Sequence, residues 1–190
     1  MKEKVKKLTK RRSYKPTVIK LKYRKDSIKH HKLKPRMESA LSPIEIRRAL
    51  VLYVIKKALG EYGHTEIDKL RIVKILYLLD KKFKEDTKSH LSPYNYILER
   101  LGPLSWEILD DLEQLKSENV ISNVTSFYDF KLNSIPQKEN INIETVRVLI
   151  ENNIDTHPIF ELATSLNHLL NYVHSLPEVK SAKLHGPIAF

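Results

Sequence analysis

Lys69-Leu70-Arg71-Ile72-Val73-Lys74-Ile75-Leu76-Tyr77-Leu78-Leu79-Asp80 is the stretch from which the rest of the chain can be placed. Ile72, Ile75, Leu76 and Leu79, continued by Phe83, recur at i, i+3, i+4, i+7 and i+11, the spacing of one face of an α-helix. Leu70, Val73 and Tyr77 widen that face. A helix with so broad an apolar surface belongs in the middle of a fold. The pattern predicts a central helix that starts after Thr65, with the threonine as its cap, and runs to about Asp86.

Upstream, Ser42-Pro43 with Glu45 has capping-box spacing and a proline in the first turn, which predicts a helix to about Leu59 ended by Gly60 and Gly63. Downstream, a tyrosine-rich segment from Pro93 to Leu101 closes on Gly102-Pro103. This dipeptide predicts a sharp reversal: glycine admits positive φ, and the proline presets a helix start. A third helix is expected from Leu104 to Glu118, burying Leu104, Ile108, Leu112 and Leu115, with Asn119 as its stop. Val120 to Leu132 is rich in β-formers, with a turn between Asn123 and Ser126. Further helices are expected over Ile143 to Asn153 and Pro158 to about Ser175, the second stopped by Pro177. The resulting expectation is a mainly α fold with a small β-hairpin (α+β class), winged-helix-like in its order of helix, turn, helix and hairpin. It occupies residues 40–177, between an N-terminal arm (1–39) and an irregular tail (178–190).

Residues 69–80 also resemble the "KLQKLLYLL" helix of the Panacea and SocA-like antitoxin group and of related YwgA-type proteins. Tyr96 through Leu101, Gly102-Pro103-Leu104-Ser105, then Glu107, Asp110, Asp111, Leu112 and Leu115 through Ile121, are similar to that group's "YGPxSxEI…DLxxLxxxGLI" stretch. The resemblance spans residues 66–122. Leu101 stands where those proteins place an aromatic, and Asn119 where they place Gly. It implies a non-enzymatic protein that works by binding other proteins or in regulation.

Charge divides the chain sharply. The first forty residues hold sixteen Lys or Arg against Glu3, Asp26 and Glu38, a net of +13, whereas residues 41–190 carry a net of −2. High charge, little apolar content, Pro16 and Pro35 predict an arm disordered in isolation. Ile19, Leu21 and Tyr23 alternate with Lys20, Lys22 and Arg24, which would suit a short strand docking on the body or on a partner. Lysines and arginines bind phosphate by releasing counterions, without fixed structure. Lys6, Lys7, Lys10, Arg11, Arg12, Lys15, Lys20, Lys22, Arg24, Lys25, Lys32, Lys34 and Arg36 are the candidate phosphate ligands. Tyr14 and Tyr23 are interleaved where they could stack on bases. Arg47, Arg48, Lys56, Lys57, Lys69, Arg71, Lys74, Lys81, Lys82 and Lys84 could extend that surface across the first two helices, or form an ordinary solvated face.

The third helix would be the groove reader of a winged-helix protein. It carries Glu107, Asp110, Asp111, Glu113 and Glu118 against Lys116 alone, so phosphates would be repelled. Its acids instead form a solvated face or meet a basic partner, the arm of the same chain being one candidate; Glu107, Asp110 and Asp111, with Trp106, are the candidate partner contacts, although Trp106, Tyr94 and Tyr96 would more commonly fill a core. The chain has no cysteine and only four glycines, which excludes disulfides and thiolate metal sites and argues against glycine-rich phosphate loops. The histidines are scattered, with no metal-binding spacing, and no nucleophile–base constellation stands out. No cofactor, metal or catalytic group is expected, and neither a secretory signal nor a membrane span. An enzyme would require a deep polar pocket around a perturbed acid or histidine. The expectation is a cytoplasmic, non-enzymatic protein associated with DNA or RNA, whose body contacts a protein partner or a second copy. The alternative is an antitoxin-type module that recognises a protein through residues 66–122.

Overall fold

The computed structural model describes residues 41–124 and 128–189. The arm expected to be disordered, with all its candidate phosphate ligands, lies outside them, as does the tip of the expected hairpin turn. Helix α1 (Pro43–Glu61) starts as expected: the Glu45 amide donates to Ser42 Oγ at 3.3 Å, and the Ser42 amide to Glu45 Oε2 at 2.9 Å. Residues Arg48 to Ile55 are buried in an unbroken run, so α1 is enclosed all round.

The central helix begins later than its periodicity suggests. Ile67–Asp68 forms a short strand, β1, and α2 runs from Lys69 to Thr87. Its cap is Asp68, whose carboxylate accepts from the Arg71 amide at 2.8 Å; Thr65 is not the cap. Sheet pairing displaces the helix start here, because fully buried Ile67 lies opposite Phe130 in β5. The stripe Ile72, Ile75, Leu76, Leu79 and Phe83 is buried throughout, as are Val73 and Tyr77.

The Gly-Pro dipeptide forms a strand instead of opening a helix. β2 (Ile97–Glu99) and β3 (Gly102–Leu104) pair antiparallel, with the reversal at Arg100-Leu101. Gly102 does take positive φ, +87°. Pro103 lies opposite Leu98, whose amide and carbonyl bond to Gly186 and His185 on the other side, so the missing proline N–H is not needed. Helix α3 (Trp106–Ser117) therefore starts two residues later than expected. Asn119 ends it in the left-handed conformation, φ +59°; its amide reaches the Lys116 carbonyl, and that of Val120 reaches Leu115.

β4 (Ile121–Asn123) and β5 (Asp129–Leu132) complete a three-stranded antiparallel sheet of order β1-β5-β4. Helix α4 spans Gln137–Glu151, beginning six residues before its apolar period. Ion pairs from its first turn to α1, Lys138–Glu45 at 2.7 Å and Glu139–Arg48 at 3.1 Å, anchor the added residues. The single helix expected from Pro158 divides into α5 (His157–Leu162) and α6 (Leu166–Ser175), because Ser165 is extended and recaps the chain at the His168 amide. The tail is irregular only in part: Pro177 opens α7 (Pro177–Ser181), and beyond it Pro187 forms an isolated antiparallel bridge to Ile97, beside backbone bonds from His185 and Ile188 to Leu98 and Tyr96. The described residues thus form a mostly helical α+β unit, with α1 packed on α2, α3 and α4, and α2 covered by α5, α6 and β3. No helix among them is long and apolar enough to cross a membrane.

Candidate partner-binding site

Helix α3 presents two chemically different sides. Ile108, Leu112 and Leu115 face the core, and Asp111 lies on the same side, 1% exposed. Asp111 therefore does not belong to the outward acidic face. Its Oδ1 accepts from Arg47 at 3.1 Å and its Oδ2 from the Tyr94 hydroxyl at 2.9 Å. Burial pushes its carboxyl above the usual range, against the lowering pull of Tyr94 and Arg47.

Other acids of this helix are also committed to the body. Glu118 binds Arg48. Glu107 accepts from Ser105 Oγ at 2.6 Å and Asn95 Nδ2 at 3.0 Å. Burial works to raise its carboxyl, and these bonds outweigh it, holding the group below its ordinary value. The outer side carries Trp106, Asp110 and Glu113, with Gln114 and Ser117 beside them. Trp106 is 58% exposed and is not a core residue, whereas Tyr94 and Tyr96 are buried. The helical spacing carries this signal: Trp106 falls on the line of Asp110 and Glu113 (i, i+4, i+7), and Asp111 on that of Ile108 and Leu115.

Behind α3 lies a chain of buried polar contacts that sequence reasoning missed. Lys74, 1% exposed, donates to the Pro103 carbonyl at 2.6 Å, and burial lowers its pKa to about 8. Asp80, 4% exposed, accepts from Ser92 Oγ at 2.5 Å and the Tyr96 hydroxyl at 2.7 Å. Burial pushes its carboxyl up to about 6 despite those bonds. Perturbed groups of this kind mark many active sites. Here they are enclosed, and two surface clefts of about 510 and 340 Å³, lined around Lys82, Asp86 and Asp155 and around Lys81, Lys88 and Glu178, do not include them. Their geometry is that of cross-links from α2 to the segment 92–103.

The cations of α1 and α2 are largely occupied. Arg47 and Arg48 are paired as described, Lys57 reaches Glu151 at 2.7 Å, Lys81 reaches Glu178 at 3.0 Å, and Lys82 reaches Asp86 at 2.9 Å. Arg71 binds Asp68 and the Ala163 carbonyl, and Lys69 lies 4.1 Å from the Tyr128 ring centroid. Salt bridges within the body therefore compete with any phosphate surface on these helices. Comparison with protein-family models, characterised proteins and solved structures finds no match to this chain.

Proposed function

We propose that this chain is a non-enzymatic, nucleic-acid-associated protein of winged-helix-like build, a regulator or nucleoprotein factor of the cytoplasm. Its arm binds phosphate backbones, and its body makes protein contacts. The observation that carries this reading is the segregation of charge: +13 within the first forty residues, beside a body of net −2. The engagement of Arg47, Arg48, Lys57, Lys81 and Lys82 in ion pairs supports assigning the phosphate affinity to the arm. The winged-helix reading draws support from the order α1-β1-α2-α3-β4-β5 with sheet order β1-β5-β4, the β2-β3 ribbon being inserted between the second and third helices. Base reading through α3 is not part of this proposal, since Asp110 and Glu113 on its outer side would repel a groove.

The test is binding to duplex DNA and to structured RNA across a salt series. The full-length chain should lose affinity steeply as salt rises, and deletion of residues 1–39 should lower low-salt affinity by roughly 100-fold or more and flatten the slope. Unchanged binding by the deletion would overturn the reading. A second reading, an antitoxin-type module using residues 66–122, is favoured by the exposed Trp106 within that stretch. It requires a stoichiometric protein partner that resists nuclease and moderate salt.

A further inference from the structure

We propose that the outward stripe of α3 formed by Trp106, Asp110 and Glu113 is a docking surface for an arginine-bearing segment of a partner protein. This rests on the reading that the body makes protein contacts, and it names the chemistry of what is contacted. At 1.5 Å rise per residue the three side chains span about 10 Å along one face, the length of three or four extended residues.

Three observations converge there. Trp106 is the single tryptophan of the chain and keeps 58% of its surface in water. Its side chain makes no ring stacking, cation–π contact or hydrogen bond with the described residues. Asp110 is exposed and has no cation within ion-pair distance among the described residues. Glu113, its side chain 66% exposed, meets among the described cations only Lys116 of its own helix, at 3.2 Å. Such an exposed i,i+3 pair contributes little and is readily exchanged. Glu107, Asp111 and Glu118 are already engaged by Ser105, Asn95, Tyr94, Arg47 and Arg48, so the available negative charge on α3 is concentrated next to the indole.

That pairing selects the occupant. Carboxylates repel nucleic acid and attract cations, and an indole face adds a cation–π contact that a phosphate cannot use. Arginine fits better than lysine, because its planar guanidinium can stack on the ring and still present a fork of donors to a carboxylate. Exposed tryptophans flanked by polar groups are also where binding energy concentrates in protein interfaces. A small-molecule ligand would need a concave site, which a convex helix face does not offer.

The sole tryptophan makes the surface directly observable. Full-length protein is titrated with a Gly-Ser-Arg repeat peptide and, separately, with Gly-Ser-Lys and Gly-Ser-Glu repeats of equal length, with indole emission and peptide anisotropy as readouts. The arginine peptide should shift or quench the emission and bind more tightly than the lysine peptide, and the glutamate peptide, which the basic arm can attract, should leave the emission unchanged. W106A and the double variant D110N/E113Q should each weaken arginine-peptide binding by about tenfold or more without changing the thermal melt. E144Q, a surface acid on α4, should leave it unchanged. Silent emission, or arginine-peptide binding by either W106A or D110N/E113Q equal to that of wild type, would overturn the proposal. So would indole emission already blue-shifted in the protein alone and released by high salt, which would mean that cations already present occupy the stripe. Capture of one nuclease-resistant partner by both wild type and W106A would remove α3 as the surface while leaving the body's role intact. Capture of none by either form would remove that role itself.

Discussion

Helices α2 and α3 follow one another in the chain and both carry ionisable residues, yet they use them in opposite ways. The middle of α2, Ile72 to Asp80, is buried on every side, so Lys74 and Asp80 are held as cross-links to Pro103, Ser92 and Tyr96. α3 is covered on one side only. Asp111 on its inner side ties Arg47 and Tyr94, and its sequence neighbour Asp110 points into water. A carboxylate here is enclosed or left to solvent according to which side of its helix it occupies, so that even the adjacent Asp110 and Asp111 differ.

The sharpest way to break this comparison is to change the two adjacent aspartates of α3. Asp111→Ala leaves the Arg47 guanidinium and the Tyr94 hydroxyl without their acceptor, which should cost about 3 kcal/mol in a urea titration. Asp110→Ala should stay within about 0.5 kcal/mol of wild type. Similar losses for both would erase the distinction between the two sides.

The second test concerns α2. Burial raises the Asp80 carboxyl to about 6 from an ordinary 3.8, so the folded state holds more protons than the unfolded chain between those values. Stability contributed by this group therefore increases as pH falls through 6 toward 4, by up to about 3 kcal/mol. Asp111 titrates in the same direction. Glu118, Glu151 and Glu178 are held low and act oppositely in more acidic solution. Asp80→Asn keeps acceptors for Ser92 and Tyr96 and removes the charge. Its midpoint should change less than that of wild type between about pH 7 and pH 5, and an equal change would show that Asp80 is not the enclosed acid described.

The smallest effect lies at the cover of α2. A side chain at Gly102 would meet positive φ and place its Cβ 3.4 Å from Val173 Cγ1 of α6. Gly102→Ala should cost roughly 1 to 2 kcal/mol, read as a fall of a few degrees in melting temperature.

How much of this was legible in the sequence varies by element. The α1 capping box, the α2 stripe and the Asn119 stop depend on neighbours within one or two turns, and their spacing alone reveals them. The start of α2 does not, because Ile67 is claimed by Phe130, sixty-three residues away. The same holds for Gly102-Pro103, whose strand conformation is set by pairing with β2 and by residues 185–188 on its far side. In the candidate site, the outward position of Trp106 and the inward position of Asp111 were available from helical spacing. The burial of Lys74 was not, since it lies off the apolar stripe and is enclosed by elements far along the chain.

The pairing of residues 185–188 with β2 also bears on how another chain could approach. β2 has neighbours on both sides, and the outer strands of the larger sheet, β1 and β4, are two and three residues long. Recognition by strand addition needs a run of free backbone amides and carbonyls. This fold leaves such a partner little to zip onto at those edges.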